Sequence, residues 1–354
     1  AYCMIYVQCG LPLQPVVKDF KNFLQLMKDY KQNFVYMVYV SYLQYCLNVM
    51  GEVEDPLVLT GEAMDQEEFV VKSKKLSDAS PMVNLNHRLL ELAVLFGDFE
   101  GAGEHYSETV AIDVPIQTAL THNSINFLGA LTFLNLSREK SGKQSKYRRK
   151  SRQLIKVVET WTKKGNMNSV DMLQLLKAEQ LSVSKKATEE SVKHAYDSAI
   201  QYSLRSGFIN NAALANERAG KYFLGRNEKA HAQDYLGRAV KLYQDWGAIG
   251  KVRKMRWEHT LLTEVPQPIP SSSSRHVMSV QGRERFTMKQ ANKHKQLSYR
   301  HDEQSCTNSE WSGASSKRSP EQATTVDELM QAASKEFETL DTGTSAGDSA
   351  TNKV

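Results

Sequence analysis

A dense run of basic side chains between residues 138 and 164 is the strongest candidate for chemistry in this sequence. Its members, set against only Glu139 and Glu159, are Arg138, Lys140, Lys143, Lys146, Arg148, Arg149, Lys150, Arg152, Lys156, Lys163 and Lys164. Concentrated positive charge attracts anions. We therefore predict a surface for an acidic partner protein, centred on Arg148, Arg149, Lys150 and Arg152.

The same charge would suit nucleic acid or an anionic membrane surface. No known nucleic-acid-binding fold accompanies it, which disfavours nucleic acid. The remaining alternative is a solvated loop followed by the exposed face of a helix whose buried side is Leu154, Val157, Val158 and Trp161.

The rest of the sequence offers little chemistry. Its cysteines, Cys3, Cys9, Cys46 and Cys306, form no CxxC pair and have no histidine at metal-ligand spacing, which indicates reduced thiols and predicts a cytoplasmic location. Gly142-Lys143-Gln144 lacks the residues of a phosphate-binding loop. His301 lies in a polar stretch without the helix of a phospho-acceptor site. We predict no catalytic residue, no cofactor and no metal site, and expect neither ATP hydrolysis nor self-phosphorylation.

The elements that would position such a surface are helices, and residues 208–257 define their type. Small residues recur at helical spacing in one segment, a turn follows near residues 225–227, and a second segment stops at Gly247, a typical position for a left-handed cap. The spacing resembles a tetratricopeptide repeat, with the signature Gly220, Phe223, Ala232, Leu236, Ala239, Trp246 and Gly247.

The second half of this signature recurs twice upstream with the same steps of four and three residues. One copy is Ala102, Tyr106 and Thr109, and the other is Val192, Tyr196 and Ala199. A helix pair of this kind cannot bury its outer face alone, so it needs neighbouring pairs. Three degenerate copies predict an irregular array.

Composition agrees with an all-α fold. The chain of 354 residues is 41% hydrophobic and has only nine prolines, and no alternating strand pattern bounded by hairpin turns appears. We predict an irregular tetratricopeptide-like array of antiparallel helix pairs, an α-solenoid, followed by a disordered C-terminal tail.

Two segments carry specific expectations. The uncharged segment 33–50 is shorter than the ~20 residues that cross a bilayer and contains Ser41, Gln44 and Asn48, so we expect a buried helix rather than a membrane span. The segment 83–96 is amphipathic, and we expect its His87 and Arg88 to face outward.

The predicted boundaries follow composition. Residues 1–262 form the helical-repeat domain, with the strongest signature at 166–257. Residues 263–324 form a Ser- and Pro-rich disordered linker, 325–340 a short connector helix and 341–354 a disordered end. Because the chain begins inside an apolar helical segment, we expect a fragment of a longer polypeptide.

The block 174–255 resembles the tetratricopeptide-like region of large multi-sensor signalling kinases. The residues that carry the resemblance are Ala213-Leu214-Ala215-Asn216-Glu217 and the run Tyr243, Trp246, Gly247, Ala248, Lys251 and Val252. Those proteins join a serine/threonine kinase-like domain, an ATPase module, helical repeats, a GAF domain and often a histidine kinase.

This resemblance implies a non-catalytic scaffold or relay within a multidomain kinase that contacts other domains or signalling proteins. The chain itself would not be an enzyme, although the longer protein would be an ATP-dependent kinase. The alternative is a free-standing tetratricopeptide-like adaptor that binds a partner peptide.

Overall fold

The computed structural model describes residues 2–112, 119–139 and 142–259. The predicted linker, connector helix and C-terminal end, residues 263–354, lie outside these described residues, as does His301. Within the described ranges every regular element is a helix, which confirms the all-α prediction.

Thirteen α-helices follow one another in the described ranges, with one short 3₁₀ turn at Met167–Ser169. They are α1 (Tyr2–Gln8), α2 (Leu13–Asp29), α3 (Asn33–Met50), α4 (Gln66–Ser73), α5 (Ser80–Phe96), α6 (Phe99–Ala111), α7 (Ala119–Glu139), α8 (Gln144–Lys163), α9 (Val170–Ser182), α10 (Glu189–Ser206), α11 (Ile209–Gly225), α12 (Lys229–Trp246) and α13 (Ile249–Glu258).

Helices that are adjacent in sequence pack in pairs. The pairs are α2 with α3, α5 with α6, α7 with α8, α9 with α10 and α11 with α12. Further contacts join α6 to α7 and α10 to α11, so successive pairs pack against each other. The predicted array of helix pairs is therefore present.

Left-handed glycines end several of these helices. Gly97, Gly207 and Gly247 cap α5, α10 and α12 with φ angles of 81°, 80° and 94°. Glycine occupies such positions because it has no Cβ to clash with the backbone. The cap predicted at Gly247 is confirmed.

The repeat signature lies at the contact between α11 and α12. A Cβ added to Gly220 would lie 2.7 Å from Cγ of Leu236, so the two helices approach closely at this point. Phe223 stacks on Tyr235 with ring centroids 5.5 Å apart. The upstream triplets occupy α6 and α10, where all six side chains are buried.

The last helix of the described part packs back against two helices of the N-terminal half. Helix α13 contacts α3 and α5. The Lys251 ammonium donates a hydrogen bond to the carbonyl of Leu95, and the Arg253 guanidinium donates one to the carbonyl of Gly51 at 2.9 Å. Helices α1–α5 and α11–α13 therefore share one apolar cluster. The repeat pattern did not predict this contact.

The prediction that His87 and Arg88 face outward is wrong, because both side chains have 0% exposure. Helix α5 contacts α3, α4, α6, α7 and α13, so it is covered on most of its circumference. Helix α4 was also missed, since it is only eight residues long and lies in a polar stretch.

Helix α3 packs against α2, α5 and α13. Residues 40–49 of this helix are buried, as expected, whereas its first two turns are exposed or partly exposed. In the part of the chain that the structure describes, no helix combines the length and the apolar character needed to cross a membrane.

We expect Ala239→Leu to destabilise the fold by about 1–3 kcal/mol, because Ala239 has 0% exposure and a larger side chain overpacks its surroundings. The measurement is the free energy of unfolding in urea. Gly237→Leu is the matched control, because a Cβ at Gly237 would meet nothing within 4 Å. It should be neutral or stabilising, since leucine favours helix over glycine. Equal losses of unfolding free energy in the two variants would contradict the placement of Ala239 on the buried face of α12.

Candidate functional site

A cleft of about 620 Å³ lies where the six helices α6 to α11 converge, and it is lined by five basic side chains. We call it the basic cleft. Its cations are Arg138, Arg148, Arg218, Lys221 and Arg226. Among the described residues, no aspartate or glutamate lines it.

Helix ends bring these side chains together. Arg138 lies in the last turn of α7, Arg148 is near the start of α8, and Arg226 caps the end of α11. Lys221 lies one turn before that end. The negative end of a helix dipole favours cations, which helps the C-terminal turns of α7 and α11 to carry them.

One buried carboxylate, that of Glu179, holds the side chains beneath the basic cleft in place. Glu179 on α9 has 0% exposure and contacts two guanidinium groups, that of Arg138 at 2.6 Å and that of Arg218 at 2.8 Å. The Tyr196 hydroxyl donates a hydrogen bond to it at 2.9 Å. Asn135 accepts hydrogen bonds from both arginines. We call these five residues the Glu179 cluster; they tie α7, α9, α10 and α11 together.

The electrostatics of this cluster favour the charged form of the carboxylate. Burial alone would raise the pKa of Glu179, but the two guanidinium groups outweigh burial and hold that pKa below its ordinary value. Two cations around one anion leave an excess positive charge beneath the cleft.

A second buried carboxylate follows the same design. Glu217 on α11 contacts the ammonium groups of Lys221 at 2.7 Å and Lys251 at 2.8 Å, and it accepts a hydrogen bond from the Tyr243 hydroxyl at 2.9 Å. We call these four residues the Glu217 cluster. Because Lys221 also lines the basic cleft, this cluster touches the cleft from α11.

Lys251 is a buried cation, with 0% exposure. Burial lowers its pKa to about 8 although Glu217 opposes the shift. Burial would raise the pKa of Glu217, but Lys221 and Lys251 outweigh it and lower that pKa.

A third buried cluster explains the two inward-facing residues of α5. The Arg88 guanidinium contacts Glu91 at 2.5 Å and lies 4.3 Å from the Tyr42 ring centroid. Ring nitrogens of His87 lie 2.7 Å from the Arg88 guanidinium and 3.0 Å from the Ser124 hydroxyl. Burial and Arg88 lower the pKa of His87, so it is neutral at physiological pH.

Aromatic side chains lie next to the cations of the basic cleft. Arg218 lies over the Phe99 ring at 5.4 Å, and Arg226 lies over the Tyr222 ring at 5.4 Å. Tyr196 completes the aromatic lining. Arginine and tyrosine are among the residue types that most often contribute strongly to protein interfaces.

The four residues of the predicted acidic-partner surface separate in the structure. Arg148 lines the basic cleft, whereas Arg149 and Arg152 are exposed on α8 outside its lining. Lys150 turns toward α7, where its ammonium lies 4.2 Å from the Phe133 ring centroid, and burial followed by Lys146 lowers its pKa. Only one of the four therefore shares the cleft with Arg138.

Sequence reasoning missed Arg218, Lys221 and Arg226, which come from α11 rather than from the basic segment. A signal was present in Glu217-Arg218, a charged pair inside the small-residue run of α11. Charged residues on the face that small residues mark as buried indicate buried ion pairs.

Within the described ranges, no group of three or more histidine, cysteine, aspartate or glutamate side chains could hold a metal ion. No family model matches the chain, and comparison with curated proteins and with solved structures finds no significant match. The resemblance to the helical region of multi-sensor kinases therefore stays a prediction.

Proposed function

We propose that this chain is a helical-repeat protein-binding module whose basic cleft takes up an acidic segment of a partner protein, with no catalytic role of its own. The observation that carries the proposal is the convergence of five cationic side chains in one cleft without a lining carboxylate among the described residues. The partner segment belongs either to a separate signalling protein or to another domain of a longer polypeptide.

The size and chemistry of the cleft support a peptide. Its volume of about 620 Å³ lies inside the usual range for ligand sites, about 300–1,000 Å³. Guanidinium groups bind carboxylates through paired hydrogen bonds, and the partly exposed Tyr222 ring provides an apolar contact beside the charges. A segment that mixes acidic and aromatic residues complements both features.

The cleft is also prepared before binding. Glu179 holds Arg138 and Arg218 in fixed positions, so the partner meets side chains that have already lost much of their conformational freedom. Arg148 and Arg226 have no ion pair among the described residues, and they remain available for carboxylates.

The test is fluorescence anisotropy of the full chain with a short labelled peptide of glutamate and tyrosine. Binding should weaken as salt rises from about 0.1 M to 1 M, because the screening length falls from about 10 Å to 3 Å. A peptide with glutamine in place of glutamate should not bind. Tighter binding of duplex DNA or RNA than of the acidic peptide would overturn the proposal. Peptide affinity that does not change with salt concentration would overturn it as well.

A further inference from the structure

A second pocket, separate from the basic cleft, lies between α1 and the helices it covers. Its volume is about 130 Å³, and its walls come from α1, α3, α5, α7, α9, α11 and α12. Gln8, Asn123, Asn168, Asn210 and Asn211 supply five carboxamide groups to its lining, and we call it the amide pocket.

Several polar groups of the amide pocket lack a hydrogen-bond partner among the described residues. Asn123 is 2% exposed and neither atom of its amide is satisfied; Trp246 is also 2% exposed, and its indole N–H has no acceptor. The amide nitrogen of Gln8 and the amide oxygen of Asn210 are likewise unpaired. Buried polar groups without partners are costly, and they cluster here around one pocket.

The apolar part of the lining includes four aromatic rings. Phe127, Phe208, Trp246 and Tyr45 border the pocket, with aliphatic side chains between them. Flat, polarisable walls of this kind favour a planar ring.

The charge in the pocket is compensated. Glu91 is the carboxylate of the described lining, and it contacts the Arg88 guanidinium at 2.5 Å and accepts a hydrogen bond from the Ser124 hydroxyl at 3.3 Å. Because its charge is already paired, the pocket offers no strong attraction to a free cation or anion.

We propose that the amide pocket binds a neutral, planar, one-ring molecule with a lactam or carboxamide edge. Such an edge places a donor beside an acceptor, which is the pattern that an asparagine or glutamine amide complements. The volume admits one ring, since an apolar protein cavity of about 150 Å³ takes benzene. This inference is independent of the function proposed for the basic cleft.

The pocket opens beside α1. Ile5 is exposed at its rim, and Cys9, directly after α1, is partly exposed in its lining. Cys3 is also partly exposed but does not line the pocket. A ligand in the pocket should therefore change the alkylation rate of Cys9 and leave that of Cys3 unchanged.

The test compares three isosteric compounds, benzamide, benzoate and benzamidine, with uracil as a lactam probe. Benzamide and uracil at millimolar concentration should raise Tm by about 2–5 °C, because a ligand that binds only the folded state stabilises it. Benzoate and benzamidine should have much smaller effects. A pocket that holds water only would give no shift with any compound, and that result would overturn the proposal.

Asn123→Leu supplies the matched variant, because it removes an unsatisfied buried amide and keeps a side chain of similar size. This variant should fold, yet benzamide should no longer raise its Tm. With the unchanged chain, benzamide should slow alkylation of Cys9 by iodoacetamide and leave that of Cys3 unchanged. Equal stabilisation by benzoate, a full shift in Asn123→Leu, or unaltered labelling of Cys9 would each contradict this assignment.

Discussion

We expect Glu179→Gln to lower the free energy of unfolding by about 3–5 kcal/mol, because it leaves the buried Arg218 guanidinium and the partly exposed Arg138 guanidinium without their counter-charge. Arg218 is 6% exposed and Arg138 is part-buried, so water cannot replace the lost carboxylate fully. The hydrogen bond from Tyr196 would weaken in addition. Urea unfolding followed by circular dichroism measures the loss.

Glu104→Gln is the control for this change. Glu104 is exposed on α6, so the same substitution there should alter stability by less than about 0.5 kcal/mol. A loss at Glu179 as small as that at Glu104 would show that the Glu179 cluster does not stabilise the fold.

The loss of stability in Glu179→Gln, which we call its deficit, should depend on pH in a way set by the two arginines that contact Glu179. The folded-state pKa of Glu179 is depressed, so its stabilising effect is present above the unfolded value of about 4.3 and is lost as pH falls below it. The deficit should therefore shrink in acid. It should stay constant as pH rises to about 9.5, because arginine remains protonated there.

We expect Glu217→Gln to cost about 2–4 kcal/mol at pH 7, since it leaves the Lys251 ammonium buried beside a carbonyl group without a counter-charge and replaces the charged acceptor of Tyr243 by a neutral amide. Unlike arginine, lysine can relieve its burial by losing its proton. The two Glu→Gln variants should therefore respond differently to alkali.

The direction of this response follows from the lysine pKa values. In the native protein the pKa of Lys251 is lowered to about 8, below the unfolded value of about 10.4. The folded state thus holds fewer protons than the unfolded state between these values, and stability from this group rises with pH across that window. Removing Glu217 lowers the folded pKa further.

The Glu217→Gln deficit should consequently shrink between pH 7 and about 9.5, where Lys251 is neutral in both proteins. Unfolding curves of the native chain and of both variants, recorded in parallel, provide the comparison. A Glu217→Gln deficit as constant with pH as that of Glu179→Gln would contradict the account of Lys251 as a buried ammonium.

Local sequence patterns predicted much of the helical framework. The uncharged segment 33–50 coincides with α3, and the glycine after Trp246 caps α12. The small-residue spacing of 220–239 marks the contact between α11 and α12. These features depend on neighbours within a few turns of the chain, which is the range over which periodicity carries information.

The Glu179 cluster and the Glu217 cluster depend on contacts between residues far apart in the sequence, which periodicity cannot predict. Arg138 meets Glu179 across 41 positions, and Lys251 meets Leu95 across 156. Periodicity also assigns polar residues to the surface by default, so it places His87 and Arg88 outside although five helices contact α5. The basic cleft joins α7 and α8 to α11, and only the packing of α11 against α9 and α10 brings them together.

The central claim, that the basic cleft binds an acidic protein segment, is tested most directly by two double variants of equal charge. Arg148→Gln with Arg226→Gln removes two cations from the cleft and leaves the Glu179 cluster intact. Arg149→Gln with Arg152→Gln removes two exposed cations of α8 that lie outside the cleft lining.

Anisotropy titrations with the glutamate–tyrosine peptide at physiological salt give the comparison. The first double variant should bind at least about tenfold more weakly, a loss of about 1.4 kcal/mol, and the second should bind within about twofold of the native chain. Equal weakening in both variants would show that binding depends on the net charge of the protein and not on the cations of the cleft. That result would contradict the proposed function.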